Sequence, residues 1–408
     1  MKKFVTIFLS LNFASISSAG DWPQWRGPDR TDINAATGLL KSWPGKGPEQ
    51  LWVNKTSGLG YGGLAIVEGI MYTVGAENDN ELLLMIDARS GKELKRVKIG
   101  PLFENKWGNG PRSTPTIDGD RVYVMSSQGH LNSVDRKTGQ IFWKVEMKSF
   151  GGAIPNWGYT ESPLVDGNNV VVTPGGSKGA MLALNKMTGK KVWQSADWKD
   201  GAQYSSIIAA DHGGKRHYIQ LVQKNVVGID ASNGDLLWKH EWDGKVAVIP
   251  TPIYKDGKVY ISSGYGIGCM QVDIRSGKAE KVFKNKNMKN HHGGVILLDE
   301  HLFGYSDGHG WVCQSWTDGE IVWREKGSLG KGAIAYADGH FYLQDEKSGD
   351  IVLIEASTKG WNEKGRFTLS PQTKLRKPDG RIWVHPVIWD GKLYLRDQEL
   401  IHCYDIKG

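Results

Sequence analysis

Two adjacent histidines followed by two glycines, His291 to Gly294, are the most unusual local feature of the sequence. Imidazole side chains bind metal ions and transfer protons near neutral pH. His385, which lies in a different loop, is predicted to join His291 in one of these roles. Consecutive side chains of an extended segment point to opposite sides, so His291 and His292 share one ion only if the backbone turns there. The alternative for His291 and His385 is a histidine that hydrogen-bonds within its loop.

Carboxylate, amide and indole side chains supply a second set of candidates. Glu161 and Asn156 carry the oxygen ligands that a hard cation such as Ca²⁺ prefers, and Asp307 is a candidate catalytic base. Trp157 and Trp383 are candidate platforms on which the planar ring of a cofactor or ligand would stack. The alternatives are solvated carboxylates at a rim and tryptophans that pack between structural repeats.

These candidates must be positioned by a repeated element that occurs eight times. Each copy is a β-rich run, then Asp or a substitute, then Gly, and often Trp in the next strand, as in Leu131 to Trp143 and Val226 to Trp238. The glycines at 91, 139, 189, 234, 277, 319, 360 and 408 lie 41 to 50 residues apart. This is the period of a four-stranded propeller blade.

A second repeated element precedes each Asp/Gly phrase. It is a Pro-led or apolar strand, an Asp-Gly turn and an aromatic strand, as in Thr114 to Val124 and Thr251 to Ile261. Asp-Gly between two alternating runs predicts a β-hairpin, because Gly accepts the positive φ of such a turn. One blade therefore has four strands, A to D, with Pro in strand A, Tyr in B, the apolar run in C and Trp in D.

The ends of the chain complete the ring. The last repeat stops at Gly408 after strands B and C, whereas residues 47–54 resemble a strand D with Trp52 and no strand C before it. Pairing the two removes open sheet edges. We therefore predict an all-β fold, an eight-bladed propeller of four-stranded antiparallel blades over residues 47–408, its last blade closed by N- and C-terminal strands. Residues 20–46 are predicted to be an extension that packs on the ring.

The topology also predicts the functional face. The D-to-A loops and the B-to-C loops lie on the same face of the ring, and most of the candidate residues are in these loops. Aromatic, imidazole and carboxylate side chains that converge on a concave mouth suit a polar small molecule or a cation. The predicted D-to-A set is Tyr61, Trp107, Arg112, Trp157, Tyr159, Glu161, Tyr204, His291, His292, Trp383 and His385. The B-to-C set is Asn78, Asp79, Ser306, Asp307, His309, Asp345, Glu346, Arg396 and Asp397.

Composition and targeting narrow the class of protein. Residues 1–19 combine Lys2 and Lys3, a short apolar run and small residues up to Ala19, which predicts a cleaved signal peptide. With no lipobox cysteine there, and no later stretch apolar enough to span a membrane, we expect a periplasmic or secreted monomer that does not span the membrane. A net charge of +7 from 51 basic and 44 acidic residues is typical of a solvated surface, and nucleic acid is not expected as a partner. The three cysteines form neither a CxxC motif nor an adjacent pair, so we expect buried thiols.

The repeat phrase, AlDxxTGxxxW with a preceding SPxxxDGxVY, resembles the repeats of pyrroloquinoline-quinone-type (PQQ-like) propellers over nearly all of residues 20–408. Segments such as Asp21 to Pro28, Trp157 to Gly167 and Tyr305 to Trp316 resemble uncharacterised secreted bacterial members of that family. More distantly, the chain is similar to quinoprotein dehydrogenases and to the propeller lipoprotein of the outer-membrane barrel assembly machinery. The resemblance implies a propeller fold, and its two branches imply different functions.

The first function is an exported binding or scaffold protein that presents its loop face and channel mouth to a protein, a glycan or a small molecule, with no cofactor required. The second is an alcohol or sugar dehydrogenase that depends on pyrroloquinoline quinone. For that function the resemblance implies Ca²⁺ on Glu161 and Asn156, Trp383 under the quinone and an acid such as Asp307 as base. Quinone binding in the presence of Ca²⁺ distinguishes the two.

Overall fold

Each sequence repeat folds into one antiparallel sheet of four strands, and eight sheets form a closed ring. The computed structural model describes residues 20–408, and the predicted signal peptide, residues 1–19, lies outside them. The predicted eight-bladed propeller is therefore confirmed.

The first four blades follow one another along the chain. Their strands are, in blade 1, β3 (Ala65–Val67), β4 (Ile70–Glu77), β5 (Asn80–Asp87) and β6 (Glu93–Pro101); in blade 2, β7 (Thr116–Asp118), β8 (Arg121–Met125), β9 (His130–Asp135) and β10 (Ile141–Glu146); in blade 3, β11 (Leu164–Asp166), β12 (Asn169–Val172), β13 (Leu182–Asn185) and β14 (Lys191–Gln194); and in blade 4, β15 (Ile208–His212), β16 (Lys215–Leu221), β17 (Asn225–Asp230) and β18 (Leu236–Glu241). A short 3-10 helix, Met147–Phe150, follows β10.

The remaining four blades complete the ring and include two strands from the N-terminal part of the chain. The strands are, in blade 5, β19 (Ile253–Lys255), β20 (Lys258–Ser263), β21 (Gly268–Asp273) and β22 (Glu280–Asn285); in blade 6, β23 (Val295–Leu298), β24 (His301–Ser306), β25 (Gly310–Ser315) and β26 (Ile321–Glu325); in blade 7, β27 (Gly332–Ala337), β28 (His340–Asp345), β29 (Asp350–Glu355) and β30 (Glu363–Thr368), with β1 (Ile33–Asn34) added beside β27; and in blade 8, β31 (Val387–Trp389), β32 (Lys392–Asp397), β33 (Leu400–Asp405) and β2 (Glu49–Asn54).

The predicted closure of blade 8 by both ends of the chain is also confirmed. Strand β2 pairs antiparallel with β33, and Trp52 lies opposite Cys403 in the register. The N-terminal strand is thus the outer strand of a blade whose three inner strands come from the C-terminus. Because this pairing joins the first and last parts of the repeat array, the outer edge of β33 is covered within blade 8.

The recurring spacing of Asp, Gly and Trp within the repeats has a local physical cause. In blade 2, Asp135 Oδ1 accepts hydrogen bonds from the backbone N–H groups of Lys137 and Thr138 at 2.8 and 2.6 Å, which shapes the turn between strands C and D. Trp143 then packs against the equivalent turn of blade 3, where its Nε1–H donates to the carbonyl of Lys186 at 3.0 Å. A Cβ on Gly189 would lie 2.7 Å from that indole, so the turn needs glycine for this contact as well as for its φ of +69°.

The apolar core is divided among the interfaces between neighbouring blades. Eight clusters of buried side chains each combine residues of two adjacent blades, and the cluster between blades 8 and 1 includes Ile66, Leu84, Tyr394 and Ile401. No blade buries its faces alone, so the ring is the smallest unit with a complete core. Among residues 20–408, none of the helical structure is long and apolar enough to cross a membrane.

Residues 21–34, here called the channel segment, contact the innermost part of every blade. Its backbone pairs with Ile66 of blade 1, Ile117 of blade 2 and β27 of blade 7. Its side chains bond the other five blades. Acceptors are the carbonyls of Ser162 and Pro163 in blade 3, Ile207 in blade 4, Val295 in blade 6 and Ile388 in blade 8, and the hydroxyl of Thr251 in blade 5. Since strands A line the central channel of a propeller, this segment fills the channel.

Candidate functional site

A cavity of about 360 Å³ opens on the face predicted from the loop topology. Its volume is in the range typical of small-molecule sites. Seven indole or phenol rings line it together with two imidazoles and one cation. The lining residues are Trp25, Tyr61, Gly63, Trp107, Arg112, Trp157, Thr160, Ser162, Tyr204, Ser206, Val246, Ala247, Ile249, Tyr265, His291, His292, Trp383 and Val384. We call this cavity the aromatic pocket.

The loops between blades build most of the aromatic pocket. Eight residues of the predicted D-to-A set line it, namely Tyr61, Trp107, Arg112, Trp157, Tyr204, His291, His292 and Trp383. The rings contact one another, since the Tyr61 and Trp383 centroids are 4.8 Å apart and the Trp157 and Tyr204 centroids are 5.5 Å apart. Such mutual contacts hold the rings in place before any ligand arrives.

Glu346 anchors one wall of the pocket. Its carboxylate pairs with His292 and accepts a hydrogen bond from Trp383 Nε1 at 2.9 Å. Burial alone would raise the pKa of Glu346, but the bonds and charges of His292, Lys331 and Trp383 outweigh it and lower this pKa to about 2. Glu346 is therefore ionised at neutral pH, and its role here is to fix the positions of the His292 and Trp383 rings.

His291 belongs to a separate chain of polar contacts at the rim. Lys331 Nζ lies 3.0 Å from His291 Nδ1 and 2.8 Å from Asp307 Oδ1. Burial, with the nearby charges of His292 and Lys331, lowers the pKa of His291 to about 3. The imidazole is neutral at neutral pH, and the Lys331 ammonium donates to its Nδ1. Asp307, the candidate base, forms an ion pair with the same lysine.

His385 lies beside the channel segment and is not part of the pocket lining. Its Nδ1 is 2.9 Å from Asp32 Oδ2, and its Nε2 donates to the carbonyl of His292 at 2.9 Å. Its ring centroid is 4.6 Å from that of Trp25. Only 4 % of His385 is exposed. The geometry therefore joins His385 to the backbone of His292. Within residues 20–408, His385 forms no hydrogen bond or ring pair with His291.

Glu161 and Asn156 occupy different environments. Glu161 is 2 % exposed, and its oxygens accept hydrogen bonds from the backbone and hydroxyl of Thr173 and from Gln220 Nε2. Burial raises its pKa to about 7. Asn156 is exposed at the rim, where its carbonyl accepts a hydrogen bond from Asn105. The structure places neither residue among those lining the pocket, and their joint role as cation ligands stays a prediction.

Arg112 is the single cation in the pocket lining. Its terminal nitrogens donate to the carbonyls of Gly110 and Gly108 at 2.7 and 2.8 Å, and its guanidinium carbon lies 5.2 Å from the centre of the Tyr61 ring. Burial lowers the pKa of Arg112. The remaining N–H groups of the guanidinium have no acceptor among residues 20–408.

Trp25, which contributes the channel-side wall of the pocket, was not among the residues predicted from the sequence. Trp25 is in the channel segment and donates from Nε1 to Thr251 Oγ1 at 3.0 Å. Tyr265, from the B-to-C loop of blade 5, was also outside the predicted set, and its ring lies 4.4 Å from that of His291. An aromatic residue in a predicted B-to-C loop was a usable signal for Tyr265, whereas the path of residues 21–34 through the channel had none.

The donor atoms around the pocket do not fit a Ca²⁺-supported quinone. No group of three or more His, Cys, Asp and Glu side chains within residues 20–408 has the geometry to hold a metal ion. The pocket lining contains no carboxylate and one cation, whereas pyrroloquinoline quinone carries several carboxylates. The cysteines are buried in strands of blades 5, 6 and 8, away from the lining. The pocket lining therefore lacks the oxygen ligands for Ca²⁺ and the several cations that would pair with the quinone carboxylates.

Comparison with known proteins identifies a matching family, two relatives and a similar solved structure. A family model described as outer membrane protein assembly factor BamB matches residues 78–325. BamB of Shewanella oneidensis is 21% identical over 420 aligned positions, which cover 97% of this chain and 96% of that protein. Quinoprotein alcohol dehydrogenase PedH of Pseudomonas putida is 26% identical over 224 residues, which are 52% of this chain but only 33% of that enzyme. The crystal structure of quinohemoprotein alcohol dehydrogenase ADHIIG from Pseudomonas putida HK5 aligns with a TM-score of 0.68 at 13% identity, covering 97% of this chain and 81% of that one.

Proposed function

The chain belongs to the PQQ-like β-propeller family, and from this premise we propose that it is an exported binding protein whose ligand site is the aromatic pocket. The observation that carries the proposal is a preformed cavity, closed from the channel side by Trp25 and walled by mutually packed rings. Rigid aromatic walls contribute binding free energy without a large cost in ordering. The scaffold ring holds these walls at fixed positions.

Export and partner binding belong to the same proposal. The signal-peptide pattern of residues 1–19 supports a periplasmic or secreted location, and the name of the Shewanella oneidensis relative, an outer membrane protein assembly factor, is consistent with it. That name also supports a protein partner for the loop face. N-terminal sequencing of protein from a periplasmic fraction checks the location. A chain starting at Gly20 is expected, and a chain retaining Met1 contradicts export by cleavage.

The dehydrogenase function remains the alternative because of the similarity to the Pseudomonas putida enzyme over part of the chain. Three observations argue against it. Glu161 is buried and hydrogen-bonded to Thr173, Asp307 is ion-paired with Lys331, and the lining contains one cation. A calorimetric titration with pyrroloquinoline quinone, with and without Ca²⁺, tests it. We expect no Ca²⁺-dependent one-to-one binding, and such binding would favour the alternative.

Small-molecule binding is tested with N-phenyl-1-naphthylamine, a neutral aromatic probe whose fluorescence rises in apolar surroundings. We expect one site per chain, weakened at least about tenfold by Trp157→Leu, because the ring supplies both apolar area and stacking. Phe142→Leu is the matched control, since Phe142 is 42% exposed on outer strand β10. Absence of binding, or equal weakening by both substitutions, contradicts the proposed site.

A further inference from the structure

The electrostatic character of the aromatic pocket is set by one guanidinium. Arg112 lines the pocket, donates only to two backbone carbonyls and forms no ion pair with a carboxylate of residues 20–408. A partly buried cation without a counter-charge is costly, and an anion that accepts its remaining N–H groups would reduce that cost. The cation therefore marks a place in the pocket where a negative group is stabilised.

Glu81, the carboxyl group whose charge acts on Arg112, is a weak counter-charge. Glu81 is fully buried in strand β5, where its oxygens accept hydrogen bonds from the backbone N–H groups of Ser127 and Phe103. Burial raises the pKa of Glu81 to about 7, so a substantial fraction of it is neutral at neutral pH. Glu346, on the other wall, is already engaged by His292 and by Trp383 Nε1. Neither group offsets the charge of Arg112 fully.

A basic segment lies at the mouth of the same pocket. Residues 371–383 connect blade 7 to blade 8 and contain four cations, Lys374, Arg376, Lys377 and Arg381, with one carboxylate, Asp379. One of these cations, Arg376, is paired with Asp397 at 2.6 Å, which leaves three. Gly380 packs against the Tyr61 hydroxyl and the Trp107 carbonyl, so the segment borders the aromatic walls. A basic rim raises the local concentration of anions and their rate of association.

We propose that the aromatic pocket selects organic monoanions with a flat aromatic body, with the carboxylate or sulfonate of the ligand on Arg112 and the body among the surrounding rings. The proposal rests on the proposed function, since it names the ligand class of the same site. A single cation in an otherwise apolar lining favours one negative group and an uncharged body. Within the lining itself, a polyanion has no cationic partner beyond Arg112.

The test compares two probes that differ by one group. 8-Anilinonaphthalene-1-sulfonate is N-phenyl-1-naphthylamine with a sulfonate added, and both are followed by the same fluorescence. We expect the wild-type protein to bind the sulfonate at least about tenfold more tightly, the ratio that a charge-assisted hydrogen bond supplies. Arg112→Gln is expected to abolish this preference and to leave the affinity for the neutral probe within about twofold. Arg112→Lys is expected to retain part of the preference.

Two controls separate the possible outcomes. Lys281→Gln makes the same change of charge on the exposed outer strand β22 and is expected to leave both affinities unchanged. Retained binding of the neutral probe shows that the Arg112 variants keep a folded pocket. Equal affinity of the wild-type protein for the two probes, or a preference that survives Arg112→Gln, overturns the anion proposal while the proposed function stands. Failure of both probes to bind overturns both.

Discussion

Individual polar residues of this protein are divided between the pocket and the structure that supports it. Glu346 and Lys331 hold the two histidines of the rim, whereas Glu161 lies between blades 3 and 4 and is bonded to Thr173 and Gln220. Residue type alone does not distinguish these roles, because a carboxylate serves equally as a ligand, a base or a buried acceptor. Burial and the number of bonds to protein atoms separate them.

Glu161 is predicted to make stability depend on pH. Its pKa is about 7 in the folded protein, against an ordinary value of 4.5, so the folded state binds more protons between those values. Its contribution to the free energy of unfolding therefore falls as pH rises from about 5 to 8, by about 3 kcal/mol in total. Glu161→Gln stays neutral at both pH values. Its free energy of unfolding relative to wild type should therefore be higher at pH 8 than at pH 5, by up to about 3 kcal/mol.

Urea denaturation at the two pH values measures this difference. Glu280→Gln, an exposed change on strand β22, is the control and should shift neither value by more than about 0.5 kcal/mol. If Glu161→Gln changes stability equally at pH 5 and pH 8, the carboxyl group does not titrate in this range and the prediction is wrong.

At the scale of elements, the contacts between repeats join each blade only to its two neighbours. The channel segment adds bonds that connect blades across the ring. Arg30 donates to carbonyls of blades 3 and 4, and Arg26 donates to Val295 of blade 6 and to Asp32. These guanidiniums replace the water that would otherwise hydrate the strand ends facing the channel. Because Trp25 of the same segment walls the aromatic pocket, the order of this segment and the shape of the pocket depend on each other.

Asp32 is predicted to be the critical acid of the channel segment. It is 1% exposed and bonds Arg26 and His385. Burial alone would raise its pKa, but the interactions with Arg26 and His385 outweigh it and keep the pKa below the ordinary 3.8. Asp32 therefore contributes stability above about pH 4, which is lost as pH falls through its folded pKa. Asp32→Asn leaves Arg26 without its charge partner and should cost about 3–5 kcal/mol at neutral pH.

The same segment provides the control. Asp29 is exposed, and Asp29→Asn should change the free energy of unfolding by less than about 0.5 kcal/mol. Denaturant titration gives both values, and amide hydrogen exchange of residues 21–34 should accelerate only in Asp32→Asn. Unchanged exchange in that variant would show that the ion pair does not hold the segment in the channel.

At the scale of the whole molecule, closure of the ring makes the two ends of the chain interdependent. Strand β2 supplies the outer strand of blade 8, and each apolar cluster spans two blades. Loss of any one interface exposes an edge and a face at the same time. We therefore expect the ring to open cooperatively and not blade by blade.

The three thiols report this cooperativity. Cys269, Cys313 and Cys403 are fully buried in blades 5, 6 and 8, and burial raises the pKa of Cys313 and Cys403 to about 12 and that of Cys269 as well. Since the thiolate is the reactive species, none should react in the native protein. Pulse alkylation along a urea gradient, read by mass spectrometry, should show all three become reactive in one transition. Reaction of Cys403 before Cys313 would indicate that blade 8 opens separately.

The ring was predictable from the sequence alone. In blade 2, Asp and Gly shape a turn, and the following Trp packs on the equivalent turn of the next blade. Because these contacts are local, the recurring spacing of these residues predicted the blade count, the strand order and the closure by Trp52. The face that carries the pocket followed from topology, which brought eight of the eleven predicted D-to-A residues into the pocket lining.

Which candidates face the pocket depends on the packing of the folded chain. Glu161 and His385 occur in the same loops as Trp157 and Trp383, yet side-chain direction buries the first two against Thr173 and Asp32. The path of residues 21–34 depends on contacts with all eight blades. Some of these contacts join residues that are far apart along the chain, and Asp32 and His385 are separated by 353 residues. A repeat pattern specifies contacts between neighbours, whereas a segment that crosses the channel is positioned by the finished ring.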